Sequence, residues 1–238
     1  GVKMADGHCL YAEHIISNAG VVNTFSDLLP AALSEELGYK QKVDALETSM
    51  SHGGMYLGLK GTAEELQLPK TNLWIYIDEH HDDNVAALRK DPSAPLPLVY
   101  VSFPSAKDPD FQRRYPGRST IEIVIGPCDF EAYRQWADKT WGKRGDDYEA
   151  LKEDLSERML EALYKQMPQL RGKVDYSEVS TPLSTSHFCR YKKGEAYGLA
   201  HNKERFQQDW LKPKTALPGL YLTGQDVISC GVVGALLA

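Results

Sequence analysis

The chain is 238 residues long, 42% hydrophobic and 25% charged, with a formal net charge of −6. That length allows one large domain or two small ones around a sizeable core, and the acidic balance, with no basic stripe, argues against a nucleic-acid-binding face. Cys9, Cys128, Cys189 and Cys230 stand far apart with no Cys-x-x-Cys pair, so they read as buried, reduced thiols of an intracellular protein, not as a disulfide framework or a zinc site.

Residues 2–5 and 8–12 read as a β-hairpin turned at Asp6-Gly7. An apolar stretch at 13–17 reads as a short buried strand. It ends in Asn18-Ala19-Gly20, small residues that a ligand could approach closely. A helix follows at about 22–29, Pro30 breaks it, and a second helical piece covers 31–37. From 49 to 125 the pattern changes to strands, at 55–59, 73–77, 98–103 and 120–125. In the second of these, Leu73, Ile75 and Ile77 share one face, and Trp74 and Tyr76 the other. The connection at 104–119 is polar and rich in turn residues. Four strands in series predict an antiparallel or mixed sheet, which with the helices gives an α+β fold class.

Helices at 129–141 and 147–167 follow. In the longer one Tyr148, Leu151, Leu155, Met159, Leu163 and Met167 recur at three- and four-residue spacing as a core face. Asp146, three residues before Glu149, gives it a capping-box start, and Pro168 marks its stop. After a strand at 174–179, the segment 181–199 reads as a loop. There Gly194-Glu195 and Tyr197-Gly198 suggest close approach to something planar or crowded. No apolar run nears the roughly 18 residues that a membrane span requires, and no signal-peptide architecture opens the chain.

The last segment, 217–238, is the most informative. A Pro-Gly turn leads into a strand at 220–223, which stops at Gly224-Gln225-Asp226, and a glycine-spaced apolar helix begins at Gly231. Strand, glycine, acid and helix N-terminus can together hold a nucleotide cofactor: glycine lets backbone come close, the acid accepts from a ribityl or ribose hydroxyl, and free N–H groups point outward. Ordinary α/β structure produces the same spacing, and no G-x-G-x-x-G follows a strand anywhere in the chain, so the segment reads as half of a cofactor site. The chain starts inside a hairpin and stops inside a helix, which suggests a piece of a longer protein.

Other candidates are weaker. Asp78-Glu79-His80-His81-Asp82-Asp83 could suggest a metal site, but adjacent residues point apart, and a solvated loop is the better reading. Ser184, Ser186 and His187 lack a nucleophile elbow. His201-Asn202 reads as either near a ligand or on the surface. Trp74, Tyr76 and Tyr100 could line an apolar pocket, with core packing the default.

The terminal motif, Gly219-Leu220-Tyr221-Leu222-Thr223-Gly224-Gln225-Asp226 with Cys230-Gly231-Val232-Val233-Gly234-Ala235, closely resembles the C-terminal flavin motif of one FAD flavoprotein family, that of the all-trans-retinol 13,14-reductases (retinol saturases), phytoene desaturases and carotenoid isomerases. Phe103-Pro104-Ser105-Ala106-Lys107-Asp108-Pro109, Pro116-Gly117-Arg118-Ser119-Thr120 and Pro168-Gln169-Leu170-Arg171-Gly172-Lys173-Val174 resemble the same family, and Ser17-Asn18-Ala19-Gly20 extends the likeness towards the start. The resemblance implies that residues 1–24 and 214–238 are parts of a Rossmann-like FAD-binding domain and that 25–213 form a substrate domain. The βαβ unit with the glycine fingerprint would lie outside the chain.

The resemblance further implies FAD as cofactor. Asp226 would bond the ribityl or phosphate region, Gly224 would give clearance, and N–H groups at Gly231, Val232 and Val233 would face the isoalloxazine. Tyr197 and Gly198 would lie beside the substrate. That substrate would be an apolar polyene whose C=C bond is saturated, with no general base named, no metal, and no activity expected of this piece alone. A cytoplasmic protein or one peripheral to a membrane is implied. Desaturation or cis–trans isomerisation is the alternative within the family. A non-catalytic module binding apolar ligands or membrane surfaces is the alternative outside it.

Overall fold

Period-two alternation through the middle of the chain builds a five-stranded antiparallel sheet. The structure, a computed structural model, describes residues 1–238. Its strands in chain order are β1 (Val2–Lys3), β2 (Cys9–Leu10), β3 (Ile15–Ser17), β4 (Ser51–Lys60), β5 (Leu73–Tyr76), β6 (Leu98–Ser102), β7 (Arg118–Cys128), β8 (Val174–Ser180) and β9 (Leu220–Leu222). The fold is mixed helix and sheet, as expected, with open sheets. It divides into two compact units, one of residues 1–50 with 189–238 and one of residues 51–188.

In the continuous unit the strand order is β5-β6-β7-β4-β8. The register sets Met55 opposite Ile123 and Leu57 opposite Ile121, so both strands turn the same apolar set to one face. The helix Asp146–Gln166 lays Leu155, Met159 and Leu163 on that face, where they are buried with Leu59, Val99, Val101 and Ile125. Its start differs from the expected capping box. Asp146 is the first helical residue, and Gly145, at φ 102, takes the cap position with no side-chain cap bond. The acids of the first turn, Asp146, Asp147 and Glu149, instead complement the positive end of the helix.

The discontinuous unit holds the β1–β2 hairpin and a parallel β3–β9 pair that sets Ile15 opposite Leu220 and Ser17 opposite Leu222. Its core includes Val21, Phe25, Tyr39, Val43, Leu199, Leu220 and Leu222. Phe25 and Tyr39 stack at 3.8 Å, with Trp210 edge-on to both.

Several expectations are corrected. The strand expected as buried at 13–17 is β3, and its Ile16 is 69% exposed, because it points to the uncovered face while Ile15 and Ser17 on the other face are half-buried. Residues 81–90, expected as part of a solvated loop or unassigned, form the helix His81–Lys90, and the expected loop after Thr181 contains the helix Pro182–Cys189. The connection at 104–119 holds two helical turns, Pro104–Lys107 and Phe111–Arg114, and the helix expected at 129–141 is the 3-10 helix Phe130–Trp136. The four cysteines are free, but Cys189 is exposed; Cys128 alone has a clearly buried thiol, its pKa raised by burial to about 11. The compact units part at 50/51 and 188/189. No helix is long and apolar enough to cross a membrane.

Candidate functional site

The parallel pair β3–β9 defines one end of the discontinuous unit. Beyond their carboxyl ends, β3 runs through Asn18-Ala19-Gly20 into a helix beginning at Val21, and β9 runs through Gly224-Gln225-Asp226 into the helix Gly231–Leu236. Nucleotide ligands of open α/β sheets lie outside the carboxyl ends of the strands.

Asp226 organises the loops there. It is 2% exposed, and its carboxylate accepts from the Val21 N–H at 2.8 Å and from the Leu199 N–H at 2.7 Å. Two stretches distant in the chain thus converge on a side chain of a third. Gly198, at φ +63, lies directly under the carboxylate: a Cβ there would overlap Asp226 Oδ1. Gly20, at φ +88, faces Asp226 and the ring of Tyr191. Tyr197 is exposed, and its N–H donates to Ser49 Oγ at 2.9 Å. The resemblance placed Asp226 on a flavin; in this structure both of its oxygens hold backbone of the chain itself.

A second network supports the same loop. Arg205, also 2% exposed, donates through Nη2 to the Gln225 carbonyl at 2.8 Å, and its Nη1 lies 2.6 Å from His201 Nε2. The Cys230 N–H donates to that same Nε2 at 2.7 Å. Asn202 caps the helical turn between them, its Oδ1 accepting from the Arg205 N–H at 3.0 Å. Burial and the Arg205 charge hold the His201 imidazole below its ordinary pKa. Nearby Glu195 is buried and accepts from the Lys193 N–H, and burial raises its carboxyl above the usual range.

The residues present fit part of a flavin. Gly231 has φ +78 and no atom within 4 Å of where a Cβ would stand, so the backbone at 231–233 opens onto free space. Val232 is 77% exposed and Val233 is exposed beside it. Gly224, at φ +99, differs: the space its missing Cβ leaves is taken by the Asn18 side chain.

The other sequence candidates lie in the continuous unit. Asp78 accepts from the His80 N–H and from Asn84, which closes the turn into the helix His81–Lys90 and lowers the pKa of Asp78. The ring of His187 lies against Trp141 and Phe188, and Ser184 Oγ accepts from the Thr181 N–H. Trp74, Tyr76 and Tyr100 are not core residues. They stand on the sheet face opposite the helix Asp146–Gln166, with Trp74 60% exposed and edge-on to Tyr100 at 4.7 Å. Tyr56, Glu122 and Tyr176 continue that face, lining a cleft of about 280 Å³. A larger cleft of about 490 Å³ opens between the β5 edge and the last turns of the long helix, lined by Ile75, Tyr76, Leu96 and Ala162.

The convergence on Asp226 was hidden in the sequence, since Val21, Leu199 and Asp226 are joined only by the fold. The one local signal was the clustering of glycine and small residues at 17–20, 198 and 224.

No protein-family model matches the chain. It is 36% identical over 99% of its length to the all-trans-retinol 13,14-reductase of Homo sapiens, covering 40% of that protein. It is 34% identical over 93% of its length to the one of Danio rerio, covering 38% of it. The chloroplastic prolycopene isomerase of Arabidopsis thaliana is 28% identical over 100% of the chain, with 38% of that protein covered. A solved oxidoreductase of Methanosarcina mazei matches 98% of the chain and 43% of its own at 17% identity and a TM-score of 0.49. The chain thus spans about two fifths of the length of the curated relatives it matches. Over that span it belongs to the family of the all-trans-retinol 13,14-reductases.

Proposed function

We propose that the chain is the substrate-binding part and the second half of the cofactor site of a flavin-dependent oxidoreductase that saturates a C=C bond of a polyene. The observation that carries this reading is the near full-length likeness to all-trans-retinol 13,14-reductases. The glycine-bordered loop beyond β9 supports it. When bound, FAD supplies hydride transfer to or from carbon.

In this reading the N–H groups of Gly231, Val232 and Val233 contact the flavin ring system. Asp226 shapes that site by fixing the helix start at Val21 and the strand-like stretch at Leu199, and Gly224 lets Asn18 fold over the loop. A direct bond from Asp226 to the cofactor would draw on a second lone pair of an oxygen already engaged. Tyr197, exposed and following Glu195-Ala196, lies at the border of the cofactor loop and contacts substrate. An apolar rod needs an apolar wall and hydride geometry more than acid–base side chains.

Desaturation or isomerisation is the second reading, favoured by the likeness of the whole chain to a prolycopene isomerase. A relative named an inactive all-trans-retinol 13,14-reductase, from Danio rerio, is 31% identical, so likeness alone does not secure activity. The deciding experiment supplies the full-length gene product with all-trans-retinol under reducing conditions, and with phytoene or lycopene under oxidising ones. Reduction of the retinoid with loss of one C=C bond is expected. Oxidation of a carotene alone would refute saturation, and tight retinoid binding without any flavin-dependent reaction would favour the non-catalytic alternative.

A further inference from the structure

We propose that His201 and Arg205 form a latch that sets the loop between β9 and the helix Gly231–Leu236, and so act as positioning residues for the cofactor. The role in cofactor binding rests on the functional reading above; the latch itself rests on geometry alone. The loop is gripped at both ends. Arg205 holds the Gln225 carbonyl directly, and His201 holds the Cys230 N–H. The two side chains are one helical turn apart, at i and i+4, and Asn202 caps the turn that sets them side by side.

The protonation of His201 follows from its partners. A guanidinium and a backbone N–H are donors only, and both approach Nε2. Nε2 therefore carries no proton, and the neutral ring has its hydrogen on Nδ1. Protonation of Nε2 would turn the Cys230 N–H away and set a second cation against Arg205. The charged and titratable groups that face the ring are Arg205 from its own segment and Asp226 from the loop, and the Cys230 group that meets it is the backbone N–H.

Arg205 is not placed for packing alone. A guanidinium this deeply buried is costly unless its donors are used. Two of its nitrogens are committed to the loop and its latch, and Nε has no partner. An apolar side chain would fill the same space with no such cost, but it would hold neither Gln225 nor His201.

His201 as a residue is exposed, with only Nε2 turned inward, so its variants should fold. His201→Ala removes the acceptor. His201→Gln keeps an oxygen near the position of Nε2 but takes up no proton. In the full-length gene product, hydrogen–deuterium exchange of residues 225–231, corrected for the intrinsic rate, reads the latch, and titration with FAD reads its consequence. His201→Ala should speed exchange of the Cys230 amide about fivefold, the worth of one hydrogen bond, and weaken FAD binding by a similar factor. The unaltered protein should match His201→Gln at about pH 8 and move towards His201→Ala only as pH falls below the ordinary imidazole range, while His201→Gln shows no such step. Unchanged exchange in His201→Ala would overturn the latch. Faster exchange with unchanged FAD affinity would overturn the positioning role. If the unaltered protein binds no FAD, the functional reading and the positioning role fall together, and the exchange measurement still decides the latch.

Discussion

At Gly198 the backbone is left-handed and the carboxylate of Asp226 sits where a side chain would begin. Alanine there meets two penalties at once. The conformation alone costs about 1–2 kcal/mol for a residue with a Cβ, and relief of the overlap must move Asp226 away from the Val21 or Leu199 N–H. Gly198→Ala is therefore expected to lower the urea midpoint of unfolding by more than the conformational cost. Gly172→Ala, also at positive φ but with nothing within 4 Å, should show the conformational cost only. Equal losses in the two variants would mean that the Asp226 contact carries no energy. Glu195 makes a different prediction. Burial raises its pKa, so its folded form binds a proton more readily than the unfolded form does. Its contribution to stability is then fully present below about 4.5, the unfolded value, and is lost as pH rises through the higher folded value. Glu195→Gln removes that loss and keeps an acceptor for the Lys193 N–H. Thermal melts from acid to neutral pH should show the variant gaining on the unaltered protein as pH rises; parallel curves would refute the assignment.

The elements most legible in the sequence were those whose signal is local. Alternation in β5, the β-branched apolar run of β7 and the three–four spacing of the long helix come directly from which side chains must be buried, and all are found with small shifts of boundary. The helix His81–Lys90 gave no such signal because none of its residues is buried, so it has no apolar stripe to read. The helix Pro182–Cys189 is masked by its run of serine and threonine, residues that favour caps and turns over helix interiors. The site was legible only in part for a related reason. Gly224 and Asp226 stand out in the sequence, but the groups that Asp226 holds are 205 and 27 residues away. The long helix carries its own prediction. Met159 is fully buried between it and the sheet, so Met159→Ala should destabilise by about 2–5 kcal/mol, measured by equilibrium unfolding. A loss under about 1 kcal/mol would mean that the cavity collapses and that the face is loosely packed.

At the scale of the whole molecule, the two units depend on the chain in different ways. Residues 51–188 are continuous and carry their own sheet, their long helix and two apolar clusters, one beneath the sheet and one around Phe130, Tyr133, Trp136 and Tyr148. The end of that stretch is tied inward: Tyr148 bonds the Thr181 hydroxyl at 2.7 Å, and Leu183 lies in the second cluster. By contrast, residues 1–50 lack the partner of β3, since β9 lies in 189–238, and their core residues Val21 and Phe25 pack in a cluster with Leu199, Leu220 and Leu222. A parallel pair joined across the full length of an intervening unit incurs a large loop-closure cost unless that unit is already folded. Residues 51–188 expressed alone should therefore unfold in urea as one cooperative transition, with native-like near-ultraviolet circular dichroism from Trp136 and Tyr148. Residues 1–50 alone should show neither. A non-cooperative 51–188 would mean that the continuous unit needs the discontinuous one. An ordered 1–50 would mean that its hairpin and helices suffice without β9.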